Sequence, residues 1–272
     1  MTADERKLAE LLENAVKQYQ KLNARQQRRV LRAVDGTRLD LSDLLNDLAN
    51  SDGKIDRRRL MRALRELRAI EEKIDEVSLR EIEDVIDETV RFGIDETTAA
   101  LAAVVGITVA RRIKKRKTRK DTVAAVGRPR EDGLRLRDRT VVLAGDYNDR
   151  LASVIRSGIV RGESVSAIMR RAKQVYDGES WKLRSIVVTE GNVALRRTTG
   201  EIAKQSDVVK ALRLHDGVGG HKYHEKHECY IWSNEDRYGL GKGVFRLEDD
   251  FIFNPHPNCT SYVTYVLKGS ED

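Results

Sequence analysis

Residues 221–229 read His221-Lys-Tyr-His224-Glu-Lys-His227-Glu-Cys229, and residues 254–259 read Asn254-Pro-His256-Pro-Asn258-Cys259. Together these stretches hold both cysteines and all but one of the five histidines of a 272-residue chain. Most of the aromatic side chains also fall after residue 206. Upstream the sequence is poor in aromatics, dense in charge and helical in rhythm. The contrast decides the fold class. The chain is expected to be mainly α, with long helices in the N-terminal half and a small C-terminal α+β module. Short antiparallel strands should begin after about residue 206.

Inside that module, Val208–Leu214, Cys229–Trp232, Val244–Leu247 and Ser261–Leu267 are the expected strands, apolar runs separated by turn residues. Tyr262-Val-Thr-Tyr265-Val-Leu267 is the clearest, being β-branched and aromatic. Gly239-Leu-Gly241-Lys-Gly243 has the composition of a phosphate cradle, but a cradle needs a strand before it and a helix after it. A strand-like segment follows instead, so a β-hairpin turn is expected.

Working outward, Thr2-Ala-Asp-Glu5 reads as a capping box. Leu8, Leu11, Leu12, Ala15, Tyr19 and Leu22 then recur at helical spacing. This helix is expected to reach Val34, with Gly36 as its stop, and a short helix to follow over residues 42–49. Asn50-Ser-Asp52-Gly53-Lys-Ile55-Asp56 is similar to part of a calcium loop. With Gly53 at the sixth position, however, Leu48 and Arg59 stand where carboxylates are required. A polar turn is the better reading, with Asp56 capping the next helix. That helix is expected to run to about Phe92 and end at Gly93, burying Leu60, Leu64, Leu67, Ile70, Ile74 and Val77. Asp95 should cap its successor.

Residues 127–135, containing Gly127-Arg-Pro-Arg-Glu-Asp-Gly133, have linker composition. They divide the chain into a helical region over 1–126 and a second domain over 136–272. The second domain would hold helices over 136–206 and a β-rich part over 207–268. Val141, Leu143, Tyr147, Leu151 and Ile155 lie on one helix, broken near Gly162. Ser164 caps the next, which buries Val165, Ile168, Ala172 and Val175, and Ser180 or Trp181 starts another.

Charged residues make up 35% of the chain and aromatics 5%, a balance that fits exposed helices better than an enzyme built around a large core. The formal charge of +7 favours a polyanionic partner. It is concentrated at Arg111, Arg112, Lys114, Lys115, Arg116, Lys117, Arg119 and Lys120, the expected nucleic-acid-binding residues. A Lys or Arg placed on a phosphate releases counterions, so such a run gives salt-sensitive binding that ignores sequence. No aromatics are interleaved, which argues against base stacking on single strands. The competing reading is a solvated helix end, where cations are favourable. The longest apolar run, residues 99–110, falls short of the ~20 residues of a membrane span. The charged N-terminus does not read as a signal peptide, so a soluble chain made in the cytoplasm is expected.

Thiolate and neutral imidazole are good zinc ligands. Cys229, His256 and Cys259 are candidate ligands for a structural zinc ion, with His224 or His227 as a possible fourth. A Cys229–Cys259 disulfide and a reduced pair packed in a small core are the alternatives. His221, His224 and His227, with nearby Glu and Asn, also suggest a metal-dependent nuclease in which His activates water, against a plain solvated turn.

These residues complete a pattern. Gly162-Glu-Ser164 precedes a helix, and Ile186-Val-Val-Thr189-Glu190 is followed by Ala194 and Gly200. Cys229 comes next, and Pro255-His256-Pro257-Asn258-Cys259 closes the series. In that order, residues 140–267 resemble the phage head-morphogenesis family, the minor capsid proteins related to the Mu F protein. The family often has a second Cys where Trp232 stands, and continues Asn-Cys-Arg-Cys where Thr260-Ser261 follow Cys259. The resemblance implies a non-enzymatic minor head protein of the virion, associated with the portal or inside the head. It would act in head assembly and in handling packaged double-stranded DNA. Its implied partners are the portal protein, the major capsid or scaffold protein, other copies of itself and DNA, with no membrane. The alternative from another class is a virion-delivered nuclease or toxin-like effector using His221–His227.

Overall fold

The computed structural model describes residues 2–130, 132–217 and 224–269. The chain forms α1 (Ala3–Asp47), α2 (Leu60–Val105), α3 (Ile107–Arg111), α4 (Lys115–Val126), α5 (Leu136–Arg161) and α6 (Val165–Gln205). Then follow β1 (Val209–His215), α7 (Glu228–Asn234), β2 (Val244–Phe245) and β3 (Tyr262–Leu267). The expected class is observed: a mainly α chain with long N-terminal helices and a small antiparallel sheet after residue 206, in the order β2-β1-β3. Among the described residues, no helix is long and apolar enough to cross a membrane.

The chain forms two compact units. The first comprises residues 1–25, 84–130 and 187–272, and the second residues 26–83 and 131–186. One passage between them, at Arg130, falls in the expected linker; the others lie inside α1, α2 and α6.

Helix ends are where sequence and structure part. Gly36 does not stop α1, which continues to Asp47 and absorbs the expected helix at 42–49. Val34, Leu41 and Leu45 are fully buried on either side of it, and packing of an apolar face outweighs one weak helix former. A Cβ at Gly36 would meet nothing within 4 Å. Gly36→Ala should therefore raise stability by about 0.5–1 kcal/mol, read as a higher urea midpoint. Gly93 likewise does not end its helix. A Cβ there would lie 3.0 Å from Thr198 Cγ2 and 3.1 Å from Leu195 Cδ1, so the glycine lets α2 approach α6. Asp95 accordingly lies inside α2, and Ser180 and Trp181 lie inside α6 rather than starting a new helix.

In the second unit, Val30, Leu41, Leu67, Ile74, Leu151, Ile155 and Ile168 are buried. Leu60, Leu64 and Val175 are only half-buried, and Val141 is exposed. Between α1 and α2, Asn50 Oδ1 accepts from the Asp52 and Lys54 amides at 3.1 and 3.0 Å. This is the expected polar turn. Asp56 stands at the cap position of the 3-10 turn 57–59, but its side chain makes no capping hydrogen bond. At the far end of α5, Gly162 takes a left-handed φ of 69° and ends the helix. Ser164 Oγ then accepts from the Ala167 amide at 3.3 Å.

In the first unit, the capping box forms as expected. The Thr2 amide donates to Glu5 Oε2 at 3.0 Å, and the Glu5 amide to Thr2 Oγ1 at 3.2 Å. The other Glu5 carboxylate oxygen accepts the Leu267 amide at 2.9 Å, so one side chain ties the start of α1 to β3. Strand β1 is central, pairing Leu212 with Phe245 on one side and with Tyr265 on the other. The expected strand at Cys229–Trp232 is instead helix α7. Only Cys229 of that run is fully buried and Ile231 is exposed, and an unbroken apolar tetrad has no period to tell strand from helix. Since α7 precedes it, the glycine-rich segment 239–243 joins a helix to β2 and is not a hairpin between strands. Its three glycines have φ of 67°, 102° and 69°, which only glycine adopts cheaply.

His215 stacks on Tyr262 with ring centroids 4.8 Å apart, and its Nε2 lies 2.7 Å from Thr264 Oγ1. Burial lowers its pKa to about 4, Arg213 adding to the effect and Glu13 opposing it. An unfolded His titrates near pH ~6.5. Stability from this site should be complete above that value. It should fall between about pH 6.5 and pH 4, as the unfolded chain takes up a proton the folded chain refuses, by on the order of 2 kcal/mol. His215→Asn should flatten that part of the pH–stability curve, measured by urea unfolding at stepped pH.

Candidate metal centre and cationic surface

The turn at 255–259 is shaped by its own sequence. The Cys259 amide donates to the His256 carbonyl at 3.2 Å. Pro257 occupies the second position, and Asn258 the third with φ 59°. A proline followed by a residue tolerant of positive φ is the signature of a type II turn. Helix α6 receives this turn. The Asn258 amide donates to Thr189 Oγ1 at 3.2 Å, and Asn192 Nδ2 donates to the Cys259 carbonyl. Two turns beyond Asn192, Gly200 faces the Phe253 ring, which a Cβ would reach at 2.4 Å.

Behind the turn lies Arg196, with 2% of its surface exposed. Its Nε donates to the Ser261 carbonyl and its Nη1 to the Ile252 carbonyl, both at 2.9 Å. Its Nη2 reaches Cys259 Sγ at 3.1 Å and also Ser261 Oγ, and both terminal nitrogens lie 3.8 Å from Cys229 Sγ. The two sulfurs are 3.5 Å apart, and both cysteines are free thiols here, not a disulfide. Their shared hydrogen bond lowers the Cys259 thiol to about 5, helped by the Arg196 charge. The same bond, with burial, pushes Cys229 up to about 12. Both shifts favour a thiolate at Cys259, where the sulfur faces the Arg196 guanidinium, and a neutral thiol at Cys229.

His256 completes the cluster. One donor atom each from Cys229, His256 and Cys259 lie within 4.8 Å of one another, an arrangement that could hold a metal ion. The chemistry fits. Two sulfurs on a tetrahedral zinc stand about 3.8 Å apart, from Zn–S of about 2.3 Å, close to the separation seen. His256 Nδ1 lies 2.9 Å from the Pro257 carbonyl, which can only accept. This fixes the proton on Nδ1 and leaves the lone pair on Nε2, as in metal-binding histidines whose other nitrogen is held by a carbonyl. His227 does not join the three-donor group; with the His256 proton on Nδ1, its own Nδ1 donates to His256 Nε2 at 2.8 Å, a bond that a metal ion on Nε2 would displace. The side chain of His224 and all of His221 lie outside the described residues.

The basic run folds into α3, a turn at 112–114 and α4, with Thr118, Thr122 and Val126 buried. Its eight cations divide by whether they are paired. Lys115 pairs with Asp95 at 2.8 Å, Arg119 with Asp87 at 2.6 Å, and Arg112 with Asp207. Arg111, Lys114, Arg116, Lys117 and Lys120 are exposed, and their side chains have no partner among the described residues. Arg116 and Lys120 stand four apart on one helix face, where like charges repel. The Lys114 amide donates to Gln205 Oε1 at 3.0 Å, and Gln205 Nε2 donates to Thr118 Oγ1 at 2.8 Å, fixing the turn against the end of α6. The segment 127–133 is no open tether throughout, since Arg130 pairs with buried Glu190 at 2.6 Å.

Arg196 is the functional residue that sequence reasoning misses. In a chain so rich in arginine, nothing local separates it from surface cations. The available signal is its position among the small residues Ala194, Thr198, Thr199 and Gly200, on a helix stretch too uncharged for a solvent face. Compared with protein-family models, curated proteins and solved structures, the chain matches none.

Proposed function

We propose that this chain is a structural, non-enzymatic minor head protein of a phage, bound at the portal or inside the head, where it helps assembly and touches packaged DNA. One observation carries the reading. Of the residues that bear the resemblance to the head-morphogenesis family, Gly162-Glu-Ser164 and Ile186 lie in the second unit, whereas Thr189, Gly200, Cys229 and Pro255–Cys259, scattered in sequence, belong to one region of the first. There Thr189 holds the Asn258 amide, and the two cysteines meet across Arg196. A pattern built for catalysis would converge on a cleft; this one converges on a buried joint that locks a turn to a helix. In the same reading, a structural zinc ion sits on Cys229, His256 and Cys259, tightening the joint, and the five unpaired cations of 111–120 meet phosphates.

The test is quantitative mass spectrometry of purified particles, with the portal protein as internal standard. A small fixed ratio to portal is expected; absence from both mature particles and procapsids would overturn the reading. Native mass spectrometry of the purified chain should show one zinc per molecule, lost in Cys259→Ser; a metal-free mass would leave the thiolate–guanidinium pair alone at the joint. Plasmid DNA incubated with the chain and Mg²⁺, Mn²⁺ or Zn²⁺ should stay intact, whereas cutting abolished by His224→Ala would favour the nuclease alternative.

A further inference from the structure

A cleft of about 360 Å³ opens in the second unit, between residues 31–35 of α1, Tyr147 of α5 and residues 173–184 of α6. Leu31 and Val34 give it an apolar wall. Tyr147 and Tyr176 meet there at 5.3 Å between ring centroids. Their hydroxyls differ. That of Tyr176 is held by Thr37 Oγ1 at 3.0 Å. Tyr147 is 1% exposed, yet its hydroxyl has no hydrogen-bond partner among the described residues. That oxygen is not among the sealed, unsatisfied polar atoms of the described residues: it opens to the cleft that Tyr147 lines, where it is free to donate.

The charges around the cleft are unbalanced. Arg32, Lys173 and Arg184 line it against Asp35 and Asp177. Asp35 is already engaged by Arg38, with nitrogen–oxygen distances of 3.1 and 3.5 Å, and Asp177 by Lys173 at 3.8 Å. Arg184 has no partner among the described residues. Arg32 spends only its Nε, on the Arg28 carbonyl at 3.2 Å. Two exposed guanidinium forks and a phenol hydroxyl free to donate thus border an apolar hollow at the small end of the size range of ligand pockets.

We propose that this cleft binds a small organic anion, a carboxylate or phosphate on a compact apolar body. The guanidinium groups of Arg184 and Arg32 would hold the anion, matching its oxygens in a fork. The Tyr147 hydroxyl would donate to it, and the Leu31–Val34 wall would cover the apolar part. The site is independent of the cysteine–histidine joint and of the basic segment.

Isothermal titration of the full chain with phenyl phosphate, benzoate, benzyl alcohol and benzylamine tests this. One or both anions should bind, and which one does so distinguishes phosphate from carboxylate; the neutral and cationic analogues should not. Arg184→Gln should weaken binding about tenfold and Tyr147→Phe about fivefold, the losses expected for a charged and a neutral hydrogen bond. Both variants should keep the parent melting temperature, since neither group has a protein partner to lose. The triple variant Arg116→Gln, Lys117→Gln, Lys120→Gln should bind as the parent does. Absence of binding by both anions, equal binding of benzylamine, or loss in the triple variant but not in Arg184→Gln would each overturn the assignment.

Discussion

Replacing Arg196 by methionine is expected to destabilise the first unit by about 3–5 kcal/mol, the loss found when one partner of a buried charge pair is removed. Methionine fills much of the same volume, so the cost is not a cavity. It comes from the Ser261 and Ile252 carbonyls, which lose their donor, and from the buried Cys259 sulfur, which loses the guanidinium that favours its thiolate form. Each orphaned group costs about 1–3 kcal/mol, and partial relaxation keeps the total below their sum. Arg196→Lys restores the charge without the planar fork and should recover only part of the loss. The two tryptophans make the measurement clean, because Trp232 lies in the first unit and Trp181 in the second. Urea unfolding followed by Trp232 fluorescence, in a Trp181→Phe background, reads the first unit alone. An unchanged midpoint in Arg196→Met would mean that the guanidinium is not what holds the turn to α6.

Changing Arg111, Lys114, Arg116, Lys117 and Lys120 to glutamine should have the larger effect on binding. If each cation neutralises one phosphate, the slope of log affinity for duplex DNA against log salt should shrink by about 4.5. Folding should not suffer, because these side chains have no protein partners to lose, and Arg116 and Lys120 repel each other. The converse set, Arg112, Lys115 and Arg119, is tied to Asp207, Asp95 and Asp87. Glutamine at those three positions should change the salt slope less and cost stability only at the level of exposed ion pairs, up to ~1 kcal/mol each. Fluorescence anisotropy on a short duplex at several salt concentrations decides it. Equal slopes in the two sets would show that position within the run does not matter, and an unchanged slope in both would remove the run from DNA contact.

Much of this was legible in the sequence, and the failures have physical causes. Where a signal is local and stereochemical, reading works. The Thr2–Glu5 box, the left-handed Gly162, the Asn50 turn and the Pro257-Asn258 turn all form from interactions within a few residues. Where a residue's meaning depends on a distant partner, reading fails. Gly36 and Gly93 look like helix stops, yet buried faces on either side carry the helices through them, and Gly93 serves contact with Thr198 and Leu195. Cys229–Trp232 offers four apolar residues with no period, so strand and helix cannot be told apart. The cysteine–histidine grouping was visible as a set of candidate ligands. Arg196, which organises it, was not, since its partners lie more than 30 residues away in sequence.

The interleaving of the two units bears on how the chain is made. Residues 1–25 belong with residues 187–272, and residues 26–83 with residues 131–186. At 5–20 residues per second, a ribosome needs roughly 10–30 s to travel from the first segment of the first unit to its last. Throughout that time the apolar stripe of Leu8, Leu12 and Tyr19 waits for its native neighbours. Folding of either unit therefore cannot follow the order of synthesis, and a gene cut in the glycine–proline segment at 127–133 yields two fragments that each lack part of both cores. Co-expressed, the two fragments should find each other; expressed singly, each should be prey to aggregation and proteolysis.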